Sequence, residues 1–329
     1  MKDRKKEHIE LASKSQTNDE FQDKRFVYEP LLSAHPDKPL PTTVLAGKKL
    51  RAPLWISSMT GGTDEARTIN KRLAHTAVKH GLGMGLGSCR KLLDDKARLA
   101  DFHMRPILGS EAPLFANLGI AQVEKLLLKE RVEEIDQLLK LLDADGLMLH
   151  VNPLQEWFQP EGDRLVQSPI DTIKQLLKKI DAPIVVKEVG QGMGPASLRE
   201  LLGLQLEGIE FGAFGGTNFA RLEMLRNPEA SDNLYNPLVT VGNTANDMLD
   251  WVNQAAEQRP RFQGKLIISG GIRTYLDAYY YLQKSKLPAL VGMASGFLKP
   301  ARESQAAVDT FTQEIIEGLQ MAYAYVSLR

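Results

Sequence analysis

Short apolar runs alternate with amphipathic stretches along most of this chain. Eight runs rich in Val, Ile, Leu and small residues fall at 52–58, 83–87, 113–117, 146–152, 183–189, 208–213, 265–269 and 289–294. Their length and composition are those of buried strands. Between them lie stretches with a helical period, such as 64–79, 170–180 and 274–284. Eight strand–helix units predict a (β/α)8 TIM barrel, an α/β fold whose parallel sheet closes on itself inside a ring of helices. A doubly wound sheet would need fewer strands or a second domain, and no low-complexity linker divides the chain. Ahead of the barrel, 3–15 reads as a polar helix and 16–45, with several prolines, as a connecting arm. The predicted organisation is an N-terminal helical arm over 1–45 and a barrel over 46–329.

Polar and glycine residues gather where such a barrel does its chemistry, just past the carboxyl ends of the strands. They stand at 57–62, 87–90, 117–119, 150–156, 187–188, 215–218, 269–273 and 294–296. A random scatter would not follow strand ends eight times.

Composition narrows the function. The chain has 329 residues, 43% of them apolar, enough for one large core. Lys+Arg and Asp+Glu each number 41, so the net charge is zero, which argues against a nucleic-acid partner. Cys89 is the only cysteine, which rules out an internal disulfide and fits a reducing compartment. The basic start, 1–6, runs into Glu7-His8-Ile9-Glu10 without an apolar h-region, and no apolar run reaches membrane length. A cytoplasmic protein without a membrane partner is expected.

The densest chemistry lies in His150-Val151-Asn152-Pro153-Leu154-Gln155-Glu156. Asn152-Pro153 breaks the strand, because the residue before a proline avoids helical geometry. His150 and Asn152 share a strand face and can point into one pocket. A core histidine bonded to backbone is the alternative for His150. Glu156 alone is a poor metal site, but Mg2+ often takes one carboxylate, several waters and substrate phosphate oxygens. The segment therefore suits an anionic, metal-chelated substrate. Ser269-Gly270-Gly271-Ile272-Arg273 and Ala294-Ser295-Gly296 end strands seven and eight, where this fold usually binds phosphate. Lys187, within Pro183-Ile184-Val185-Val186-Lys187-Glu188-Val189, needs an acceptor because an unpaired buried charge is costly. Either a carboxylate such as Glu188 or Glu210, or an anionic ligand such as a reduced flavin ring, can supply it. Arg4, Lys5 and His8 fall on nearby faces of the first helix and suit phosphate, although a charged N-terminus is commonly just solvated. Cys89 has no His beside it in sequence and reads as a packed or pocket-lining residue.

With these residues laid out, the chain resembles the type 2, FMN-dependent isopentenyl-diphosphate delta-isomerases. The matching pieces are Arg4-Lys5-Lys6-Glu7-His8-Ile9, Met59-Thr60-Gly61-Gly62, Gly87-Ser88-Cys89-Arg90, Ala116-Asn117-Leu118-Gly119, Asn152-Pro153-Leu154-Gln155-Glu156, Val186-Lys187-Glu188-Val189-Gly190, Gly215-Gly216-Thr217 and Ser269-Gly270-Gly271-Ile272-Arg273. They occur in family order over nearly the whole chain. The Asn-Pro-Leu-Gln-Glu segment and the Arg-Lys-x-Glu-His start are the specific ones. The resemblance implies an enzyme of isoprenoid biosynthesis that interconverts isopentenyl and dimethylallyl diphosphate by a 1,3 proton shift, using reduced FMN and Mg2+. It implies FMN held by Ser57, Ser58, Met59, Thr60, Ser88, Asn117, Lys187 and Thr217, with its phosphate at Gly271, Ile272, Arg273, Ala294 and Ser295. It implies substrate contacts from Arg4, Lys5, His8, Ser88, Cys89, Arg90, His150 and Asn152, Gln155 at the reacting carbons, and Mg2+ on Glu156. NADPH would serve only to reduce the flavin, and a homo-oligomer, a tetramer or octamer, is expected. Two departures stand out. The family has Ser-Gln-Arg where this chain has Ser88-Cys89-Arg90, and a thiol cannot replace an amide's hydrogen bonds. Phe219 stands near a family Trp and keeps the aromatic packing.

Two rival readings differ in class. An FMN-dependent 2-hydroxy-acid oxidoreductase needs a His base after strand six, and the segment Phe214-Gly215-Gly216-Thr217-Asn218 has none. A non-catalytic barrel that binds a phosphate ligand has no use for polar groups beyond the phosphate site.

Overall fold

The computed structural model describes residues 3–58, 60–226, 236–258 and 262–329; the predicted flavin residue Met59 lies outside them. Eight parallel strands close into a barrel in chain order: β1 (Leu54–Ile56), β2 (Gly83–Gly85), β3 (Leu114–Gly119), β4 (Gly146–Val151), β5 (Ile184–Glu188), β6 (Gly208–Glu210), β7 (Lys265–Ser269) and β8 (Ala289–Met293). β8 pairs with β1 through Gly292 and Trp55, which removes any free sheet edge. All eight predicted runs form strands. β6 is shorter than its run: Gly212 takes a left-handed φ of +52°, although the Phe211 and Ala213 N–H groups on either side still donate to Ile267 O and Ser269 O of β7.

The helices sit where the period put them, at Asp64–His80, Pro169–Leu176 and Tyr275–Lys284 for the three stretches named above. Thr63 caps the first of these by accepting the Ala66 N–H, and Gly81 ends it in the left-handed conformation. The arm helix is Arg4–Leu11, capped by Asp3, and none of its residues is buried.

Two small sheets were not visible in the apolar pattern. Phe26–Tyr28 pairs antiparallel with Val326–Leu328, joining the arm to the end of the chain. A hairpin, Thr43–Leu45 with Lys48–Leu50, runs across the predicted boundary at 45/46. It carries Leu45 and Leu50, both fully buried, into the barrel floor, where they pack with Trp55, Phe115, Met148, Val185, Ile267 and Leu290. Leu50→Ala leaves a cavity under this layer. It is expected to cost about 2–5 kcal/mol and to lower the melting temperature by roughly 3–7 °C, read by calorimetry.

That apolar floor determines what lies above it. Strand side chains repeat every second residue on one face. Two residues past Trp55, Phe115, Met148, Val185, Ile267 and Leu290 come Ser57, Asn117, His150, Lys187, Ser269 and Gly292. A polar layer therefore rests on the apolar one at the carboxyl end of the barrel.

Candidate active site

A pocket opens at these carboxyl ends. Of the residues expected to hold FMN, Ser57, Ser58, Lys187, Thr217, Gly271, Ile272, Ala294 and Ser295 line it. Phe219 lines it as well. Gly270 and Gly271 have φ of +93° and +75°, and a Cβ on Gly216 would stand 3.2 Å from the Gly270 Cα. The chain can thus bring backbone close to a ligand there. Helix Ser295–Glu303 starts at the pocket from Ala294 with no side-chain cap, so its first N–H groups lack a side-chain acceptor. Arg273 is the exception in the expected phosphate cradle. It does not line the pocket, and its N–H goes to Asp277 Oδ2 (3.0 Å) in the capping box of the next helix.

The hydroxyls of Ser57 and Ser58 are buried and have no hydrogen-bond partner within the chain. Unmet polar groups in a pocket cost stability unless a ligand meets them. With the glycine cradle and the uncapped helix start, they fit a flavin mononucleotide. Lys187 pairs with Glu210, one of the two carboxylates that the sequence left open. Glu210 is fully buried and its second oxygen is unpaired, so the lysine sits at the pocket wall on a carboxylate support. Burial pushes the neighbouring Glu188 carboxyl up to about 7, although the amides of Gln191, Gly192 and Gly190 all donate to it at 2.7 Å.

Asn117 Oδ1 lies 2.6 Å from His150 Nδ1, so an expected flavin residue and an expected substrate residue are bonded to each other. Asn117 accepts, which places the proton on Nδ1 and leaves Nε2 as an acceptor. Burial, and then the charge of Lys187, lower the His150 pKa to about 4. The ring is neutral at pH 7. The fold favours its neutral form, so this contribution to stability is intact above the usual pKa near 6.5 and is lost as pH falls from there toward 4. An NMR titration of His150 in the ligand-free protein should show its midpoint near 4 rather than in the usual histidine range.

Beyond β4, helix Pro153–Phe158 gathers the remaining chemistry. Asn152 donates from Nδ2 to Gln155 Oε1 (3.1 Å) and Glu156 Oε1 (3.2 Å), while its buried Oδ1 has no partner. Gln155 Nε2 donates to Glu223 Oε1 (3.2 Å). Glu156 is 5% exposed, and its other oxygen accepts the Asp163 N–H (2.7 Å). Among the described residues no Lys or Arg pairs with the Glu156 carboxylate, and no cluster of three His, Cys, Asp or Glu could hold a metal by itself. A buried carboxylate without a cation partner fits Mg2+ that also takes oxygens from a substrate.

Arg90 approaches this segment through Asp163, at 3.6 Å. Ser88 and Arg90 are exposed, while Cys89 between them is fully buried in the apolar core. Its thiol donates to Gly87 O (3.4 Å), and burial pushes its pKa up to about 12. Cys89 thus faces inward, away from the exposed Ser88 and Arg90 that flank it. Arg4, Lys5 and His8 are exposed on the arm helix and do not line the pocket. Thr60 is half-buried, and its carbonyl accepts from Asn70 (3.4 Å). Asp163 and Glu223, which hold Arg90 and Gln155, were missed in the sequence. Each lies on a separate segment with no local signal, and only their partners, Arg90 and Gln155, were legible.

No family model matches the chain. It is 32% identical to the isopentenyl-diphosphate delta-isomerase of Rickettsia felis over 324 residues, which are 97% of this chain and 91% of that protein. It is 37% identical to the isopentenyl-diphosphate delta-isomerase of Nostoc sp. over 271 residues, 82% of this chain and 74% of that protein. Among solved structures, flavocytochrome b2 with sulfite bound has a TM-score of 0.62 at 16% identity, covering 96% of this chain and 81% of that one. A mandelate oxidase with a monooxide FMN adduct has a TM-score of 0.55 at 12% identity, covering 92% of this chain and 87% of that one. At such identities the likeness to the two oxidoreductases concerns the barrel alone.

Proposed function

The chain belongs to the isopentenyl-diphosphate delta-isomerase family, and from that premise we propose that it interconverts isopentenyl and dimethylallyl diphosphate with FMN and Mg2+. The observation that carries the reading is one of placement. A pocket with unmet serine hydroxyls, a glycine cradle and an uncapped helix start stands next to the Asn152-Gln155-Glu156 cluster. The first half suits a phosphate-bearing ring cofactor, the second a metal-chelated diphosphate.

The reaction is a 1,3 proton shift in an unactivated alkene, with no net oxidation. No ordinary side chain is a strong enough acid to protonate such an alkene readily, and reduced FMN supplies that acid–base chemistry when bound. The protein's residues position and stabilise. Gly271, Ile272, Ala294 and Ser295 hold the cofactor phosphate, with Ser57, Ser58 and Thr217 on the remainder. Lys187 places a positive charge at the pocket wall and favours an anionic ring. Neutral His150, fixed by Asn117, offers Nε2 to the substrate side. Glu156 holds Mg2+ against the diphosphate, Asn152 and Arg90 contact its oxygens, and Gln155 faces the reacting carbons. Arg4, Lys5 and His8, exposed on the arm helix, would supply further contacts to the diphosphate. Exposed Phe21, Leu31 and Leu32 on the arm, 84%, 92% and 76% accessible, support a homo-oligomer. No helix of the described residues is long and apolar enough to cross a membrane.

The test is direct. The purified protein is incubated with isopentenyl diphosphate, FMN, Mg2+ and NADPH, and dimethylallyl diphosphate is measured. Product should accumulate far beyond the NADPH consumed, because substrate and product share an oxidation state. Oxidation of one NADPH per turnover would instead identify an oxidoreductase.

A further inference from the structure

The strand-end pocket has a neighbour. A groove of about 580 Å³ opens between helices Pro169–Leu176 and Pro195–Leu202, bounded also by residues 189–194 and 241–243. Its wall is apolar and partly deep: Ile173, Val186, Met193 and Leu201 line it and are buried. Asn152 and Gln155 line it too, and Glu188 and Val189 border both it and the first pocket. The groove is thus continuous with the cluster assigned above to the diphosphate and the reacting carbons.

Its charge pattern restricts the occupant. Among the described residues no Lys, Arg or His lines the groove, and the only charged lining groups among them are Glu188 and Glu200. A diphosphate head has no counter-charge there, whereas hydrocarbon gains by leaving water. Sites that hold drug-sized molecules run to roughly 300–1,000 Å³ and are mostly apolar with a few polar groups at one side. A five-carbon chain anchored at Gln155 does not need a space of that size.

We propose that this groove binds the hydrocarbon tail of allylic diphosphates longer than five carbons, with their head group on the substrate's diphosphate site. Products of chain elongation from dimethylallyl diphosphate would then compete with the five-carbon substrate. The proposal rests on the isomerase reading for the position of the head group.

Calorimetric titration of the FMN- and Mg2+-loaded protein with geranyl diphosphate and with dimethylallyl diphosphate tests it without turnover. The ten-carbon ligand is expected to bind at least tenfold more tightly and to inhibit competitively against isopentenyl diphosphate. Ala196→Phe narrows the groove from an exposed position in the first turn of helix Pro195–Leu202, and Ile170→Trp narrows it from the facing helix. Each should reduce the chain-length preference to less than threefold while leaving kcat and KM for isopentenyl diphosphate within twofold. Equal affinity for the two ligands in the unaltered protein overturns the proposal, as does an unchanged preference in both variants. A chain that isomerises isopentenyl diphosphate but ignores chain length defeats the groove alone. One that binds the ten-carbon ligand in a groove-dependent way yet makes no dimethylallyl diphosphate defeats the isomerase reading alone.

Discussion

Glu156→Gln is expected to reduce activity by about 100-fold or more at low Mg2+ and to regain part of it as Mg2+ is raised. The substitution removes the negative charge and keeps the size, but its single amide oxygen can accept from only one of Asn152 Nδ2 and Asp163 N–H, so one of those two bonds is lost as well. Loss of a group that merely supports a metal ligand already costs 10- to 100-fold, so loss of the ligand's charge sets that as a lower bound. FMN affinity should persist, because Glu156 does not line the pocket that the flavin residues form. Gln155→Ala should fail differently. Gln155 is bonded to Asn152 and Glu223 rather than to the metal position, so kcat should fall with little change in the Mg2+ requirement. Paired measurements of kcat, KM and Mg2+ dependence separate the two. If both variants lose FMN instead, the segment is structural and the substrate lies elsewhere.

Lys187→Ala should carry the largest effect on stability. It leaves Glu210 buried, at 0% exposure, with neither its cation nor solvent. Breaking one partner of a buried pair costs about 3–5 kcal/mol. FMN affinity should fall in parallel, and the stabilisation of the protein by added FMN, which follows mass action, should shrink. The double substitution Lys187→Met with Glu210→Gln removes both charges and should recover most of the stability. If flavin affinity and the spectrum of the reduced flavin recover with it, Lys187 acts only through the fold. If they stay impaired, the positive charge itself serves the ring.

The barrel was legible because its signal is local. Each strand run declares itself by composition, each helix by its period, and each βα turn by glycine or proline. The same locality exposed the strand-end residues: Ser57, Ser58, Lys187, Gly271 and Ser295 each stand at or within two positions of the end of an apolar run, and the barrel's closure then brings them to one pocket. The pairing of Phe26–Tyr28 with Val326–Leu328 was not legible, since two three-residue strands at opposite ends of the chain carry no periodicity worth reading. Nor was the Thr43–Leu50 hairpin, whose only mark is a pair of leucines that the barrel floor happens to receive.

The sequence by itself determined the fold class, the eight strands, the family and most of the residues at the pocket. Tertiary structure alone decided which way each of them faces and what it touches. Cys89 sits in a matching segment yet points into the core, and Arg273 stands in the expected phosphate loop yet spends its N–H on a helix cap. Lys187 had two carboxylates within reach in the sequence and took Glu210, because β5 and β6 place those two residues opposite each other in the ladder. Asp163 and Glu223 came to Arg90 and Gln155 from segments far along the chain. A residue's type and the period around it are local properties, but its partner is set by the closure of the sheet, which no window of sequence contains.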